Sequence, residues 1–385
     1  MNASPTLSQK IPLSALPQSE AEILAWLRLA RSRRVGPSTF IRLLREHGNA
    51  EAALAALPQV ASHAGAKGYA ACSGEQANAE LEAGFKAGAE LLCLGTAEYP
   101  PHLALIPDPP PVLWAIGDTS LAHRPVAGLV GARNASSLGQ RMARILAEEL
   151  GAAGYVIASG LARGVDTAAH FASLETGTIA VLAGGVDVVY PRENKELWQQ
   201  ITHQGLVVSE APIGTSPQAR HFPKRNRIIS GISLGIVVIE GAAKSGSLIT
   251  ARNALDQGRE VMAVPGSPLD PRATGCNMLL RDGAGLVRSG ADVIEYLESA
   301  AQGVFDIPAP APEASQPPPA QPISAPKSAA LPVTLMSLLS TAPIPEDTLI
   351  RESGLPTPKA MELIFDLEMT GEITRHPGGM LSLAQ

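Results

Sequence analysis

Aromatic side chains are scarce in this chain: Phe, Trp and Tyr together make up 4% of its 385 residues. The hydrophobic fraction is still 45%, so the core must be built from Ala, Val, Leu and Ile. The length allows two or three domains of ordinary size. Cysteine is scarcer again: only Cys72, Cys93 and Cys276 occur, far apart and with no C-x-x-C or Cys/His cluster. This argues against a disulfide scaffold and a zinc site, predicts no bound metal, and fits a reducing compartment. No run approaches the roughly 18 apolar residues that a membrane span needs. Residues 1–20 are polar and rich in Pro and Ser, without the basic-then-apolar order of a secretory signal. A cytoplasmic protein with no membrane partner is expected. Positive charge is not in excess either, with 30 Lys+Arg against 36 Asp+Glu and a net charge of -6. Any phosphate-binding surface must therefore be a local patch on a mildly acidic body.

Composition divides what is present. Residues 1–19 read as a disordered lead. Residues 20–90 are rich in Ala, Leu and Glu and helical in pattern. Within them Gly36-Pro37 sets a tight turn, Pro37 or Ser38 opens a helix and Gly48 closes it. This small SAM-like or helix-hairpin-helix-like domain either holds a DNA phosphate on backbone N–H groups or simply packs. From 91 to 303, short β-branched runs are each followed by Gly and a helical stretch, the pattern of a doubly wound parallel sheet. The expected strands are Val126–Val130, Tyr155–Ala158, Thr178–Leu182, Leu206–Ser209, Ile236–Ile239 and Glu260–Val264, with Leu92–Leu94 and Val112–Ile116 as edge strands. The helices are expected to start near Ser137, Asp166, Asn194, Lys224 and Ser247. Residues 304–330 form a Pro/Ala/Ser linker, extended at roughly 3 Å per residue where it is polyproline-like. In 331–385 helices are expected at Val333–Leu339, Glu346–Ser353 and Thr357–Met369, with a Gly354 break. A hairpin of Glu372–His376 and Met380–Leu383 follows, giving a winged-helix pattern. The fold class is thus α/β: an extended Rossmann-like core with a small helical domain before it and a winged helix after it.

Ligands of such a sheet sit at the C-terminal ends of its strands, where four Gly-rich turns fall. In the first, Gly131 lets backbone approach an anion, the following helix offers free N–H groups, and Arg133 adds a fork of donors suited to phosphate. The second Gly of G-x-G-x-x-G is missing, so no dinucleotide cofactor is expected. In the second, Gly160 and Gly164 bracket Arg163. Asp166 is read as a cap and His170 as structural, with a catalytic Asp–His pair as the alternative. The third follows Gly184-Gly185 and brings Arg192 and Lys195 to a helix start. The fourth, Ser245-Gly246-Ser247, resembles a phosphate loop. It has Ser247 where that loop needs Lys, so ATP hydrolysis is not predicted.

The basic segment His221-Phe222-Pro223-Lys224-Arg225-Asn226-Arg227 stands apart from these turns. Cations around one aromatic suit single-stranded nucleic acid: the charges hold phosphates and Phe222 offers a stacking plane. Arg225 or Arg227 can instead be tied to a carboxylate of the fold. Two other function classes remain open. One is a nucleotide hydrolase, for which Glu210 and Glu240 are the available carboxylate pair. The other is a regulator reading duplex DNA through the winged helix.

As an ordered set, these motifs closely resemble the DNA-processing protein A (DprA/Smf) family. The likeness runs through Val130–Arg133, Ser159–Asp166, Ala169-His170, Gly177–Leu182, Tyr190-Pro191 with Asn194, and Ser209-Glu210. It continues through Phe222–Gly231, Ser245–Ala251, Gly258–Val261 and Val264–Gly266. The resemblance implies a non-enzymatic protein that binds single-stranded DNA without sequence preference. It also implies self-association as a homodimer through the Rossmann-like domain, and delivery of the strand to the recombinase RecA in DNA uptake and recombination. The contacts it implies are Arg133, Lys195 and Lys224, with Phe222 close to the DNA. Gly131, Arg163, Gly164, Arg225, Asn226, Arg227, Ser245, Gly246 and Ser247 complete the candidate set. Ala132 departs from the commoner Gly-Ser/Thr-Arg turn and lacks a hydroxyl that could bond a phosphate.

Overall fold

A computed structural model describes residues 11–63 and 68–303 and, beyond them, 339, 344–345, 348–350, 353, 355, 357–369, 372–376 and 380–383. The chain divides into two units, Met1–Ile307 and Pro308–Gln385. In the first, sequence-coded caps set the helices. Ser19 and Glu22 form a reciprocal capping box at the head of Glu20–Arg31, and Ser73 and Gln76 form another before Gly74–Lys86. Pro37 occupies the first turn of Pro37–His47, and Gly48 ends that helix at φ +84°.

These helices are not a separate bead. Their apolar residues belong to the same buried cluster as the sheet. Trp26 stacks edge-on to Phe40 at 5.0 Å and donates its indole N–H to Pro111 O at 2.8 Å. Trp114, fully buried in a strand, donates to Glu80 at 2.8 Å. The expected disordered lead ends earlier than residue 19. Leu13–Ala15 form a helical turn, and Ile11 and Ala15 are buried, because these apolar side chains complete the helical cluster. Residues 1–10 and the linker 304–330 lie outside the described residues.

A Cβ on Gly84 would lie 2.3 Å from two ring carbons of Trp114. Gly84→Ala is therefore expected to destabilise the protein by up to about 2 kcal/mol. Overpacking of about 1–3 kcal/mol outweighs the roughly 1 kcal/mol that alanine gains in a helix. A lowered urea midpoint with an unchanged slope is the expected reading.

Nine strands form one sheet: β1 (Glu90–Cys93), β2 (Val112–Gly117), β3 (Val126–Val130), β4 (Val156–Ser159), β5 (Thr178–Val181), β6 (Leu206–Ser209), β7 (Gly235–Val238), β8 (Glu260–Ala263) and β9 (Gly285–Leu286). Their order is β1-β2-β6-β5-β4-β3-β7-β8-β9. Pairing is parallel from β6 to β9, while β2 joins β6, and β1 joins β2, in antiparallel fashion. β3 to β7 are buried throughout, as parallel strands covered on both faces must be. Each expected parallel strand is present with ends within one residue. Strand β9, two residues long with one glycine, is too short to leave a periodic signal. From β3 the chain builds outward to β4, β5 and β6 on one side, then returns to β7 on the other. The topological switch point lies between β3 and β7, and it is there that the sheet opens a crevice.

The helix expected from Lys224 begins at His221. Pro223 falls in its first turn, where no intrahelical N–H is required, so proline starts the helix there instead of preceding it. In the second unit, strands Ile373–His376 and Met380–Leu383 form the expected hairpin, and Ile344–Pro345 adds a third strand on Met380–Leu383. Helix Thr357–Met369 is present, and Leu349, Ile364, Leu367, Ile373 and Leu381 form a core. The helix expected at Val333–Leu339 and the Gly354 break lie outside the described residues, apart from Leu339.

Candidate nucleic-acid interface

Gly131 leaves the end of β3 and meets the second Gly turn. A Cβ on Gly131 would come within 2.5 Å of Val165, and one on Gly164 (φ +78°) within 2.3 Å of Ala132 O. Both glycines are needed because the two turns press together. Helix Ser137–Ala152 follows, but its N-terminus is not free for a phosphate, contrary to the sequence expectation. Ser136 caps it through Gly139 N–H at 2.9 Å. Glu240, just past β7, accepts from Ser136 N–H at 2.8 Å and from the Ser136 hydroxyl. The protein's own carboxylate thus occupies the anion position.

The other helix start differs. At Ser245–Ser247 no side chain caps helix Gly246–Asp256, and the two serine hydroxyls bond each other at 2.7 Å. Asn226 holds this turn by donating its side-chain amide to Gly246 O at 3.2 Å. Gly131–Asn134, Phe222, Asn226 and Ser245–Ser247 line one cleft of about 490 Å³. Arg133 is exposed above it, its guanidinium carbon 4.8 Å from the centroid of the Phe222 ring. Tyr190 leans on the same ring at 5.7 Å. No acidic side chain pairs with Arg133 among the described residues. A free cation, an aromatic plane and an uncapped helix start therefore share one crevice.

Lys224 and Arg227 of the basic segment do not join them, and Arg225 meets the cleft wall only from inside the fold. Helical spacing puts Phe222, Asn226 and Ile229 on the cleft side. Lys224 and Arg227 line a second cleft with Arg31, Gly36, Pro37 and Glu210. Arg227 pairs with Glu210 at 2.6 Å and Asp108 at 3.3 Å, the carboxylate-tied alternative for that residue. Arg225 is buried and donates to Gly160 O at 2.6 Å and to Val181 O. Its opposite charge is Asp166, which accepts from Gly160 and Ala162 N–H. Burial pulls the Arg225 pKa down to about 10, against the attraction of Asp166, so the guanidinium stays charged at neutral pH. Both arginines stood in the candidate DNA set; the structure places them inside the fold's own bonding.

Arg163 is exposed and paired with Glu193, and Lys195 is exposed at a helix start outside the cleft lining. Arg272, which the sequence did not single out, lines the cleft while paired with Asp270 at 2.9 Å. It sits in a loop after β8 and carries no local motif. Glu210 and Glu240, the pair a hydrolase would use, are bound to different partners, Arg227 and Ser136.

Residues 90–298 match the family described as DNA recombination-mediator protein A, residues 20–83 a DprA-like N-terminal HHH domain, and residues 309–379 a DprA winged helix domain. The chain belongs to the DNA recombination-mediator protein A family. DNA processing protein DprA of Bacillus subtilis is 46% identical over 213 residues, covering 54% of this chain and 72% of that one. Protein Smf of Escherichia coli is 38% identical over 289 residues, covering 74% and 75%. Among solved structures, DNA processing protein A of Streptococcus pneumoniae superposes with TM-score 0.62 at 34% identity, covering 73% of this chain and 98% of that one. The Helicobacter pylori protein, described for its single-stranded DNA binding mode, gives TM-score 0.51 at 29% identity, covering 55% and 98%.

In this member of the recombination-mediator family, Asp166 and His170 are both buried and held in the fold's own hydrogen bonds. His170 is fully buried. Leu161 N–H donates to its Nε2 at 3.3 Å, which leaves the proton on Nδ1, 2.7 Å from the Thr178 hydroxyl. Leu161 is held in the left-handed region (φ +53°), and Asn194 donates to its carbonyl at 2.9 Å. Burial, aided by Arg225, pushes the His170 pKa from 6.5 to about 3. Its contribution to stability is complete above pH 6.5 and is lost as pH falls, because the unfolded chain takes up the proton first. The slope approaches about 1.4 kcal/mol per pH unit below 6.5. Unfolding of the parent and His170→Gln, compared between pH 7.5 and 5, should show a shallower dependence in the variant.

Proposed function

We propose that this chain binds single-stranded DNA, independently of sequence, in the cleft at the β3/β7 switch point. The observation that carries the reading is the unpaired Arg133 lying over Phe222, beside the uncapped Ser245–Ser247 helix start. Phosphates bond to Arg133 and to backbone N–H groups, and a base stacks on Phe222 with Tyr190 at its edge. Family membership and the single-stranded DNA binding of the Helicobacter pylori relative support the same reading. The chain then acts in the cytoplasm as a non-catalytic mediator in DNA uptake. As a homodimer it shields the incoming strand and passes it to the recombinase RecA. Among the described residues no helix is long and apolar enough to cross a membrane.

Binding of labelled oligonucleotides at two salt concentrations, with size-exclusion of the same mixtures, tests this. Single strands of different sequence should bind equally, more tightly than duplex, and weaken steeply with salt. Strong preference for one sequence, or for duplex, would sink the assignment. A RecA filament-assembly assay on strands coated with a single-strand-binding protein tests the mediator step separately.

A further inference from the structure

Helix Ser137–Ala152 starts where a doubly wound sheet ordinarily seats a phosphate, after the turn that leaves β3 at the switch point. Two donors converge on that seat. Ser136 gives its N–H and its hydroxyl, and both go to the Glu240 carboxylate. Position 139 is glycine, and a Cβ there would lie within 2.7 Å of the carboxyl carbon and both carboxyl oxygens of Glu240. The helix has no acidic residue of its own in its first turn. Glu240 is half-buried, lies 104 residues from Ser136 in sequence and has no ion pair among the described residues. Its charge is met by the helix start. The seat borders the DNA cleft: a Cβ on Gly131, which lines the cleft with Arg133, would lie 3.1 Å from the Glu240 carbonyl oxygen.

We infer that Glu240 is a specificity-determining residue, a built-in anion that closes this seat to phosphate; its consequence for DNA rests on the function proposed above. A free phosphate or the terminal phosphate of a strand carries up to about two charges. At this seat it meets donors already taken and a fixed negative charge. A phosphodiester carries one charge and bonds to the exposed Arg133 instead. The cleft therefore takes the interior of a strand and is blind to its 5′ end and to mononucleotides.

The test empties the seat with Glu240→Ala and keeps it filled in two other ways. Glu240→Gln fills it without charge, and Glu240→Ala/Gly139→Ala refills it with a methyl group. Urea midpoints are compared in sodium phosphate and in sodium chloride of equal ionic strength. Phosphate stabilises folded proteins in general, so the parent sets the baseline. The midpoint of Glu240→Ala should rise in phosphate by more than the parent's, through binding to the folded state. Neither filled variant should show that excess. An oligothymidylate of about 20 nucleotides with a 5′-phosphate should bind Glu240→Ala about two- to fivefold more tightly than the 5′-hydroxyl form, the worth of one anion at a helix start. The parent should bind the two forms alike. Should Glu240→Ala be unfolded in chloride, refolding by phosphate is the same excess. No excess in Glu240→Ala, or an equal one in a filled variant, overturns the seat. An excess without preference for the 5′-phosphate overturns its part in strand selection. A parent that binds neither strand overturns the proposed function, and the phosphate midpoints still decide the seat.

Discussion

Reversing a single charge, Arg133→Glu, is expected to weaken single-strand binding by about 100-fold at low salt. Three losses combine. A charge-assisted contact to phosphate contributes about 1.5–3 kcal/mol. A carboxylate in its place repels the same phosphate. The cation that lies 4.8 Å over Phe222 is also removed. Together these amount to about 3 kcal/mol, at 1.4 kcal/mol per tenfold in affinity. The fold should not notice, since Arg133 is exposed and has no ion pair among the described residues. The urea midpoint of Arg133→Glu should therefore match the parent. Phe222→Ala should lose the stacking plane, about 1–3 kcal/mol. Lys224→Glu should cost less than Arg133→Glu, because Lys224 lines the other cleft beside Glu210 and Asp108. Fluorescence anisotropy with a labelled oligonucleotide ranks the three. If Lys224→Glu proved the more damaging change, the strand would run through the second cleft and the site would be misplaced.

That ranking marks where sequence reading stops. The parallel strands were legible because each is an apolar β-branched run buried on both faces and ended by glycine, which leaves little choice of period. The Gly turns were legible for the same reason that they are glycine: two of them touch each other's backbone. Direction within the basic segment was not. Which of the three neighbouring cations Lys224, Arg225 and Arg227 faces a cleft depends on how helix His221–Ile232 is rotated against the sheet edge, and contacts far away in sequence set that rotation. Arg225 reaches Gly160 and Val181, while Arg227 reaches Asp108 and Glu210. Glu240 at the head of helix Ser137–Ala152 is a similar case. Its partner Ser136 lies on the preceding side of the switch point, and nothing local to either residue announces the pair. Charge counts located the patch. Only packing sorted its members into those turned to the cleft and those consumed by the fold.

Arg225 is the residue on which the two kinds of role separate most sharply. Replacing it with Met leaves Asp166 buried without an opposite charge, and withdraws the guanidinium from the carbonyls of Gly160 and Val181. Removing one partner of a buried charge pair costs about 3–5 kcal/mol. Against a typical total of about 5–15 kcal/mol, that is enough to leave part of the protein unfolded. Arg225→Lys should rescue little, since a point charge cannot reproduce the planar fork that meets Gly160 O and Val181 O together. Adding Asp166→Asn to Arg225→Met should recover stability, because the stranded charge is then gone, and the recovery measures the coupling. Chemical denaturation of the four proteins reads all of this without DNA. Were Arg225 chiefly a DNA contact, the result would invert: the midpoint would stay with the parent, and only strand binding would fall, as for Arg133→Glu. The burial of Arg225 at 6% exposure, against the open Arg133 one ring away, points to loss of the fold.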